Sequence, residues 1–538
     1  MRRDLRAGLF VVFLFLSGAP VAIGWSDFDV PRLIERGALL ENRGVLDQAL
    51  RAYQDASRVM DERFGSSDPR RLTNLNNIAR VFLLLGQTTD AAHTYQTVLA
   101  SADGDSRKSI PFAIAEFNFP AILINDNRQA PALDLFQASV ADWKTLLESG
   151  RTRLEAAIEL NGLLHLEHSQ DLYRTVEPIY QMRLSILETA FGKINPHVGR
   201  ALIDLAIVNR DLGRASEAEA FYYRAIEISR RVPLGQNQDL ATASINLAGL
   251  LGEQRRDRES LALYDEIIER LRATGGPPGV YLALALHGLG VGLSDREEYV
   301  KAIPNLNEAA SIWQQLRHDA SLAQGLHDLG VALSGNRQFP EAERCFNRSI
   351  GITTGRLGTR SVALVPLYGS LGVCYCNWGD YVRAEQAFLT ARDIASGMPG
   401  EAEPSGTGPV DVQAGRCLYK QGRYVEAETR FHDALRESPQ PQTPAQLEDY
   451  AEILYLLGLV CSAEQKLTPA ERFQKRSLSI REQLCGPESP KLIQNLQNLS
   501  WIYECARRDE EAKQTNERIL RLRVGSNSNT PCSECLTR

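Results

Sequence analysis

The stretch WGDYVRAEQAF, Trp378 to Phe388, decides the fold. Gly379, Tyr381, Ala384 and Phe388 stand at offsets that suit a binding pocket or the touching faces of two helices, and the rest of the chain selects between them. EAEAFYYRA (Glu217 to Ala225), PEAERCFNRS (Pro340 to Ser349) and YVEAETRFHDA (Tyr424 to Ala434) return the same Ala with a large side chain four residues later. Taking that Ala as a marker gives Ala49, Ala91, Ala132, Val176, Ala218, Ser260, Ala302, Ala342, Ala384, Ala427, Ala470 and Ala512, most often 42 residues apart and never outside 40 to 44. Twelve copies of one supersecondary unit follow from that period.

A second marker lies twelve residues before the first: Gly37, Ala79, Pro120, Leu164, Ala206, Ala248, Gly290, Gly330, Gly372, Gly415, Gly458 and Ser500. All but Pro120 and Leu164 are Gly, Ala or Ser. Small residues at two fixed phases, flanked by large apolar ones at helical spacing, let two antiparallel helices approach closely. The large residue four positions after the Ala (Tyr53, Tyr95, Phe136, Tyr180, Tyr222, Tyr264, Leu306, Phe346, Phe388 or Phe431) fills the space between neighbouring pairs. The opening residues are therefore packing residues. Gly379 closes the first helix, as do Gly44, Gly86, Gly213 and Gly422 at the same phase.

This pattern resembles the tetratricopeptide repeat over about residues 28 to 522. The period of 42 in place of the usual 34 adds about one turn to each helix and is similar to the kinesin-light-chain subclass. FGSSDP (Phe64 to Pro69), FGKINP (Phe191 to Pro196) and CGPESP (Cys485 to Pro490) support it, each placing Pro ten residues before the small marker. Asp, Asn or Ser just ahead of Pro reads as a helix N-cap followed by a favoured first residue. LNNIA (Leu75 to Ala79) and YYRAIEI (Tyr222 to Ile228) complete the resemblance. It implies an all-α, right-handed superhelical solenoid of about twelve antiparallel helix pairs, with first helices on the concave side. Pro120, Leu164 and Val176 depart from the small-residue rule, so looser packing or bent helices are expected there. Gln474 and Asn516 replace the large apolar residue in the last two repeats and predict a polar outer side at the end of the array. SGMPGEAEPSGTGP (Ser396 to Pro409) reads as a long exposed connection or a hinge, spanning residues 396–409.

The 538 residues, 43% apolar and 24% charged, have ordinary globular chemistry. A formal charge of -7, becoming -9 without the first 24 residues and their three Arg and one Asp, argues against nucleic acid as the main partner. Arg2, Arg3 and Arg6 precede the apolar run Gly8 to Leu16, and Ala22, Ile23 and Gly24 supply a cleavage site, so residues 1–24 read as a secretory signal. The run is about half the ~20 residues a spanning helix needs, so no membrane insertion is expected after cleavage. An exported chain, periplasmic or secreted, is expected, with array residues 25–522 and a polar tail 523–538. All nine cysteines lie beyond residue 344. Cys374 and Cys376 point to different sides of a helix and cannot readily bridge each other. Cys532 and Cys535 have the spacing of half a zinc site or a redox pair, but in a short polar tail they read as an incidental or bridged pair.

Partner contacts are expected on the inward face of each first helix, three before, one after and four after the small marker. These positions hold Asn76, Arg80 and Leu83, then Asn161, His165 and His168, Ile203 and Arg210, His287, His327, Arg416 and Gln497. Asn76 and Arg80, one turn apart, suit the backbone amide and a carboxylate of an extended acidic peptide. The resemblance implies that Asn76 and Asn161 match the asparagine of the Leu-Asn-x-Leu element that contacts cargo peptides in the light-chain family. Ile203, Ile245, Val412 and Tyr455 interrupt that ladder, which suits apolar or helical segments in the middle of the groove. His287 and His327 recur at one phase of consecutive repeats, are expected to face each other, and would alter the charge of the groove near pH 6.5. His165, Glu167 and His168 do not form a metal set, because Glu167 points away from the shared face. GLGVG (Gly288 to Gly292) sits at a small-residue phase with no strand before it, and no phosphate loop, nucleophile elbow or zinc-helix motif occurs. The expected function is a noncatalytic, cofactor-free interaction scaffold that binds a protein or peptide through Asn76, Arg80, Asn161, Arg210, His287 and His327. A self-assembling envelope component and a regulatory subunit of a separate enzyme are the alternatives.

Overall fold

The structure is a computed structural model that describes residues 29–42, 45–63, 68–85, 87–101, 109–125, 129–148, 150, 153–160, 170–231, 238–273, 279–396, 408–437, 441 and 443–527. Residues 1–24, expected to be a secretory signal, and Gly44, Gly86, most of loop 396–409, Cys532 and Cys535 lie outside these residues. Contacts divide the chain into two compact units, one ending at Leu329 and the other beginning at Gly330.

Among the described residues there is no strand. The first repeats contain α1 (Asp29–Asn42), α2 (Leu46–Arg63), α3 (Pro69–Leu84), α4 (Thr88–Ser101), α5 (Ile110–Asn125), α6 (Gln129–Glu148), α7 (Arg153–Glu159) and α8 (Gln170–Phe191). There follow α9 (Pro196–Asp211), α10 (Ala215–Arg231), α11 (Gln238–Glu253), α12 (Asp257–Ala273), α13 (Val280–Asp295), α14 (Tyr299–Gln315) and α15 (Asp319–Gly335), which contains the boundary. The second unit continues with α16 (Phe339–Leu357), α17 (Leu364–Trp378), α18 (Tyr381–Ser396), α19 (Gly408–Lys420), α20 (Tyr424–Glu437), α21 (Pro444–Ala463), α22 (Leu467–Cys485), α23 (Ile493–Cys505) and α24 (Asp509–Asn527). Among the described residues, odd-numbered helices are the first and even-numbered the second members of twelve successive hairpins. The last helix continues to Asn527 instead of ending at residue 522.

The two small-residue phases are the contact surfaces. Every second-helix marker whose burial is described, from Ala49 to Ala512, is buried, and so is every large residue four positions on from Tyr53 to Gln474. A β-carbon added at Gly37, Gly372 or Gly415 would stand 2.7 Å from the Tyr53 ring, 2.7 Å from Phe388 or 2.6 Å from Phe431, well inside van der Waals contact. The same notch takes Leu306 at Gly290 and Phe346 at Gly330. Gly288, in GLGVG, leaves room for the ring of Tyr264 from the preceding repeat. That glycine string is a packing device.

Helix ends follow local chemistry. Asp68 and Asn195 cap α3 and α9, each accepting from the amide two residues on at 2.9 Å with Pro at the first helical position. Ser489 accepts from the Lys491 amide at 3.4 Å ahead of the 3-10 turn Pro490–Leu492 that leads into α23. Gly213, Gly379 and Gly422 close first helices at φ of 78°, 90° and 74°. Arg255, Glu297, Arg337, Gln465 and Arg507 occupy the same phase with φ between 55° and 64°, so five repeats hold a strained L residue where glycine fits best. α5 runs through a buried Pro120, and α8 carries Pro178.

Two features lie beyond the periodic pattern. Cations that start second helices meet acids on the preceding second helix: Arg214 with Glu177 (2.7 Å), Arg256 with Glu219 (2.8 Å), Lys466 with Glu428 (2.9 Å) and Arg508 with Glu471 (2.7 Å). Such half-exposed pairs contribute about 0–1 kcal/mol each and act chiefly on register. Cys376 on α17 is bridged to Cys417 on α19, Cα atoms 5.9 Å apart, joining two successive first helices.

Gln474 corrects the expected polar outer side. It is fully buried, donates to the Tyr455 carbonyl at 3.1 Å and accepts from Asn495 at 3.1 Å. Asn495 in turn accepts from Arg481 at 2.7 Å, so the missing ring is replaced by an internal polar network. Asn516 is exposed, in line with expectation.

Two variants test this packing. Gly415→Ala is expected to lower unfolding stability by about 1–3 kcal/mol, the cost of overpacking, with part recovered by adding Phe431→Leu. Urea unfolding followed by circular dichroism reads both; a neutral Gly415→Ala contradicts the notch. Cys376→Ser is expected to destabilise by about 4 kcal/mol, the loop-entropy value for a bridge of this span across a separation of 41 residues. Unfolding with and without reductant checks it, and reductant is expected to have no effect through this bridge in the variant.

Candidate functional site

The expected partner face is built from three positions on each first helix, and among the described residues of the unit ending at Leu329 its candidate polar side chains each find a partner within the chain. Asn76 on α3 is buried and donates through Nδ2 to the Pro111 carbonyl at the start of α5, 2.7 Å away. Arg80, one turn on, forks onto Glu41 of α1 with Nε to Oε1 at 2.7 Å and Nη2 to Oε2 at 2.9 Å. Glu41 also accepts from the Tyr53 hydroxyl at 3.0 Å. Burial alone would lower the Arg80 guanidinium, but Glu41 outweighs it and keeps the group firmly charged. The carboxylate expected from a peptide is supplied by Glu41, which corrects the picture of an open Asn76 and Arg80 clamp. Arg210 on α9 is largely buried and donates through Nε to Asp211 at 3.0 Å. Asn161, His165 and His168 lie outside the described residues.

His287 on α13 and His327 on α15 are joined through a third group. Asp328 stands 2.8 Å from His287 Nε2 through Oδ2 and 3.0 Å from His327 Nδ1 through Oδ1. Gln324 Nε2 donates to the same carboxylate at 3.0 Å. Both histidines are buried, 4% and 2% exposed. Burial would push the Asp328 carboxyl up, but the hydrogen bonds from His287 and His327 win and hold it well below the usual carboxylate range. The cluster ties two successive first helices and leaves little histidine surface for a ligand.

The sequence carried signals for these partners that residue typing alone missed. Asp328 follows His287 by 41 residues and Glu41 precedes Arg80 by 39, so near-period spacing places each pair on neighbouring first helices. Arg183 and Asp204, both fully buried, form an ion pair between α8 and α9, and Arg183 Nε also donates to the Ala157 carbonyl at 2.9 Å.

In the unit beginning at Gly330 the corresponding positions are more open. Arg416 on α19 is exposed and pairs with Glu452 on α21 at 2.5 Å. Tyr455 on α21 is half-buried beneath the Arg481 guanidinium, 5.4 Å from the ring centre. Gln497 and Trp501 on α23 are exposed, Trp501 at 41%. Among the described residues no group of three or more His, Cys, Asp or Glu side chains could hold a metal ion. No described helix is long and apolar enough to cross a membrane.

Asp328→Asn is expected to cost about 1–3 kcal/mol at pH 7, the penalty for weakening buried hydrogen bonds. Because the folded carboxyl titrates below its unfolded value, its contribution is complete above the ordinary range near pH ~4 and fades as pH falls. Urea unfolding at pH 7 and pH 3 should show the gap between wild type and variant closing in acid; an equal gap at both contradicts the assignment.

The Tetratricopeptide repeat family profile matches residues 31–103, 197–273, 239–315, 281–355 and 449–523. No curated protein matches the chain significantly. Solved structures similar to parts of it include BtubC (BKLC) from P. vanneervenii, 18% identical over 44% of this chain and 93% of that one, with a TM-score of 0.37. TPR-like repeats from a Podosopora anserina protein described as a kinesin light chain are 16% identical over 38% and 99%, TM-score 0.35. A Rap protein complexed with competence and sporulation factor is 15% identical over 69% and 98%, TM-score 0.38. With the profile spread over more than half the chain, and the small and large residues it alternates buried against each other, the chain belongs to the tetratricopeptide repeat family.

Proposed function

We propose that this protein is an exported, noncatalytic scaffold that holds a segment of a protein partner on its first-helix faces. Its family is one of protein–protein interaction scaffolds that are in general noncatalytic. Nearly all of the described chain is committed to the hairpin array, and the charge of -7 favours a protein partner over nucleic acid. Export to the periplasm or beyond is supported by the basic and apolar N-terminal pattern and by the Cys376 to Cys417 bridge, since disulfides persist in oxidising compartments.

The observation that carries the partner surface is the contrast between engaged and open positions. Asn76, Arg80, Arg210, His287 and His327 are enclosed with internal partners, whereas Gln497 and Trp501 are exposed at the same phases of later first helices, as is Arg416 even in its pair with Glu452. A half-exposed Trp beside polar groups is the residue type that anchors protein interfaces. The grip is therefore assigned to α19, α21 and α23.

Affinity capture with tagged full-length chain from the exported fraction tests this reading. Trp501→Ala is expected to reduce the recovered partner by about tenfold or more, as loss of an anchor does, with helicity unchanged. Undiminished capture by Trp501→Ala and by Arg416→Glu, or residence of the chain in the cytoplasm, would overturn it.

A further inference from the structure

We propose a second binding site, separate from the first-helix faces, in the groove between α20, the start of α21 and α22, and we assign to it an acidic and aliphatic peptide segment of a protein partner. The groove is open and encloses about 710 Å³, within the ~300–1,000 Å³ range of small-ligand sites. Its floor is apolar, from Leu435, Leu447, Tyr450 and Ile480, and its basic side chains are His432, Arg436 and Arg476; among the described residues no carboxylate lines it.

These basic groups are differently placed. Arg476 is exposed and lies over the Tyr450 ring, 5.3 Å from its centre, so stacking on the floor orients its guanidinium. Among the described residues no carboxylate is paired with it. Arg436 is paired with Asp433, which Arg392 also approaches at 3.5 Å, so its charge is partly met from within the chain. His432 stands 3.9 Å from Glu428 and presents its ring edge-on to Phe473, centroids 6.1 Å apart. Arg476 is thus the cation available to an incoming anion, and its planar fork suits a carboxylate taken bidentately.

The occupant follows from this pairing of surfaces. A carboxylate over Arg476 places the neighbouring residues of an extended chain on the Leu447, Tyr450 and Ile480 floor, where branched aliphatic side chains lose water. A basic segment meets Arg436 and Arg476 and is repelled. A wholly apolar one leaves the Arg476 charge unanswered.

The test measures fluorescence polarisation of two labelled probes with full-length protein: Ac-Leu-Glu-Ile-Asp-Leu and its charge inverse, Ac-Leu-Lys-Ile-Lys-Leu. The acidic probe is expected to bind saturably and the inverse about tenfold or more weaker, as charge complementarity requires. Arg476→Glu, with native helicity, is expected to weaken the acidic probe about tenfold, and Trp501→Ala to leave it unchanged. No saturable binding, equal binding of both probes, or an undiminished affinity in Arg476→Glu would overturn the site. Loss of the acidic probe with Trp501→Ala but not with Arg476→Glu would place the peptide on the first-helix face, sinking this inference while leaving the proposed function standing.

Discussion

One contact recurs through the array: a first helix stripped of its side chain at a single point, with a large residue from its second helix filling the space. Gly37 with Tyr53, Gly330 with Phe346, Gly372 with Phe388 and Gly415 with Phe431 are versions of it. Close packing makes the contact exacting, because interiors tolerate neither an extra methylene nor a void of that size without cost. The hairpin so fixed can bury its second-helix Ala against the facing helix, as Ala49, Ala91, Ala218 and Ala302 all do completely. Stability is then assembled from neighbour to neighbour, which is how repeat arrays hold together.

The fold was legible because this contact repeats at fixed phase. A single Gly and Phe pair means little in isolation, but a small and a large residue returning at fixed phase through most of twelve repeats leave almost no other interpretation. The N-caps at Asp68, Asn195 and Ser489 were readable for the same reason, since their spacing to Pro and to the small marker is local and rigid. Helix closure was readable only in part. Gly213, Gly379 and Gly422 announce the left-handed position, while Arg255, Glu297 and Arg337 adopt it with no sequence signal. Gln474 shows the same limit from another side: a polar residue at an aromatic phase read as a solvent-facing end, yet Tyr455, Asn495 and Arg481 complete its hydrogen bonds inside.

Partner chemistry was less legible, because typing a residue does not say who answers it. Arg80, Arg210 and His287 carry the groups that hold peptides, and each is answered by a carboxylate of its own chain: Glu41, Asp211 and Asp328. A buried polar group without a partner is costly, so an array that brings first helices side by side selects such internal pairs. What remains for a partner is what the array leaves exposed: Gln497 and Trp501 on first helices, Arg416 in its surface pair with Glu452, and Arg476 over Tyr450 beside an apolar floor. The Cys376 to Cys417 bridge adds a covalent tie between α17 and α19, close to the first of these surfaces.

Hydrogen–deuterium exchange across the full chain tests the central claim most directly, because it reads local stability residue by residue. The account predicts strongest amide protection recurring at the notch positions, around Gly290, Gly330, Gly372, Gly415 and Gly458 on first helices and around their large partners on second helices. Protection confined to one block, or notch amides exchanging as fast as the connecting turns, would contradict it.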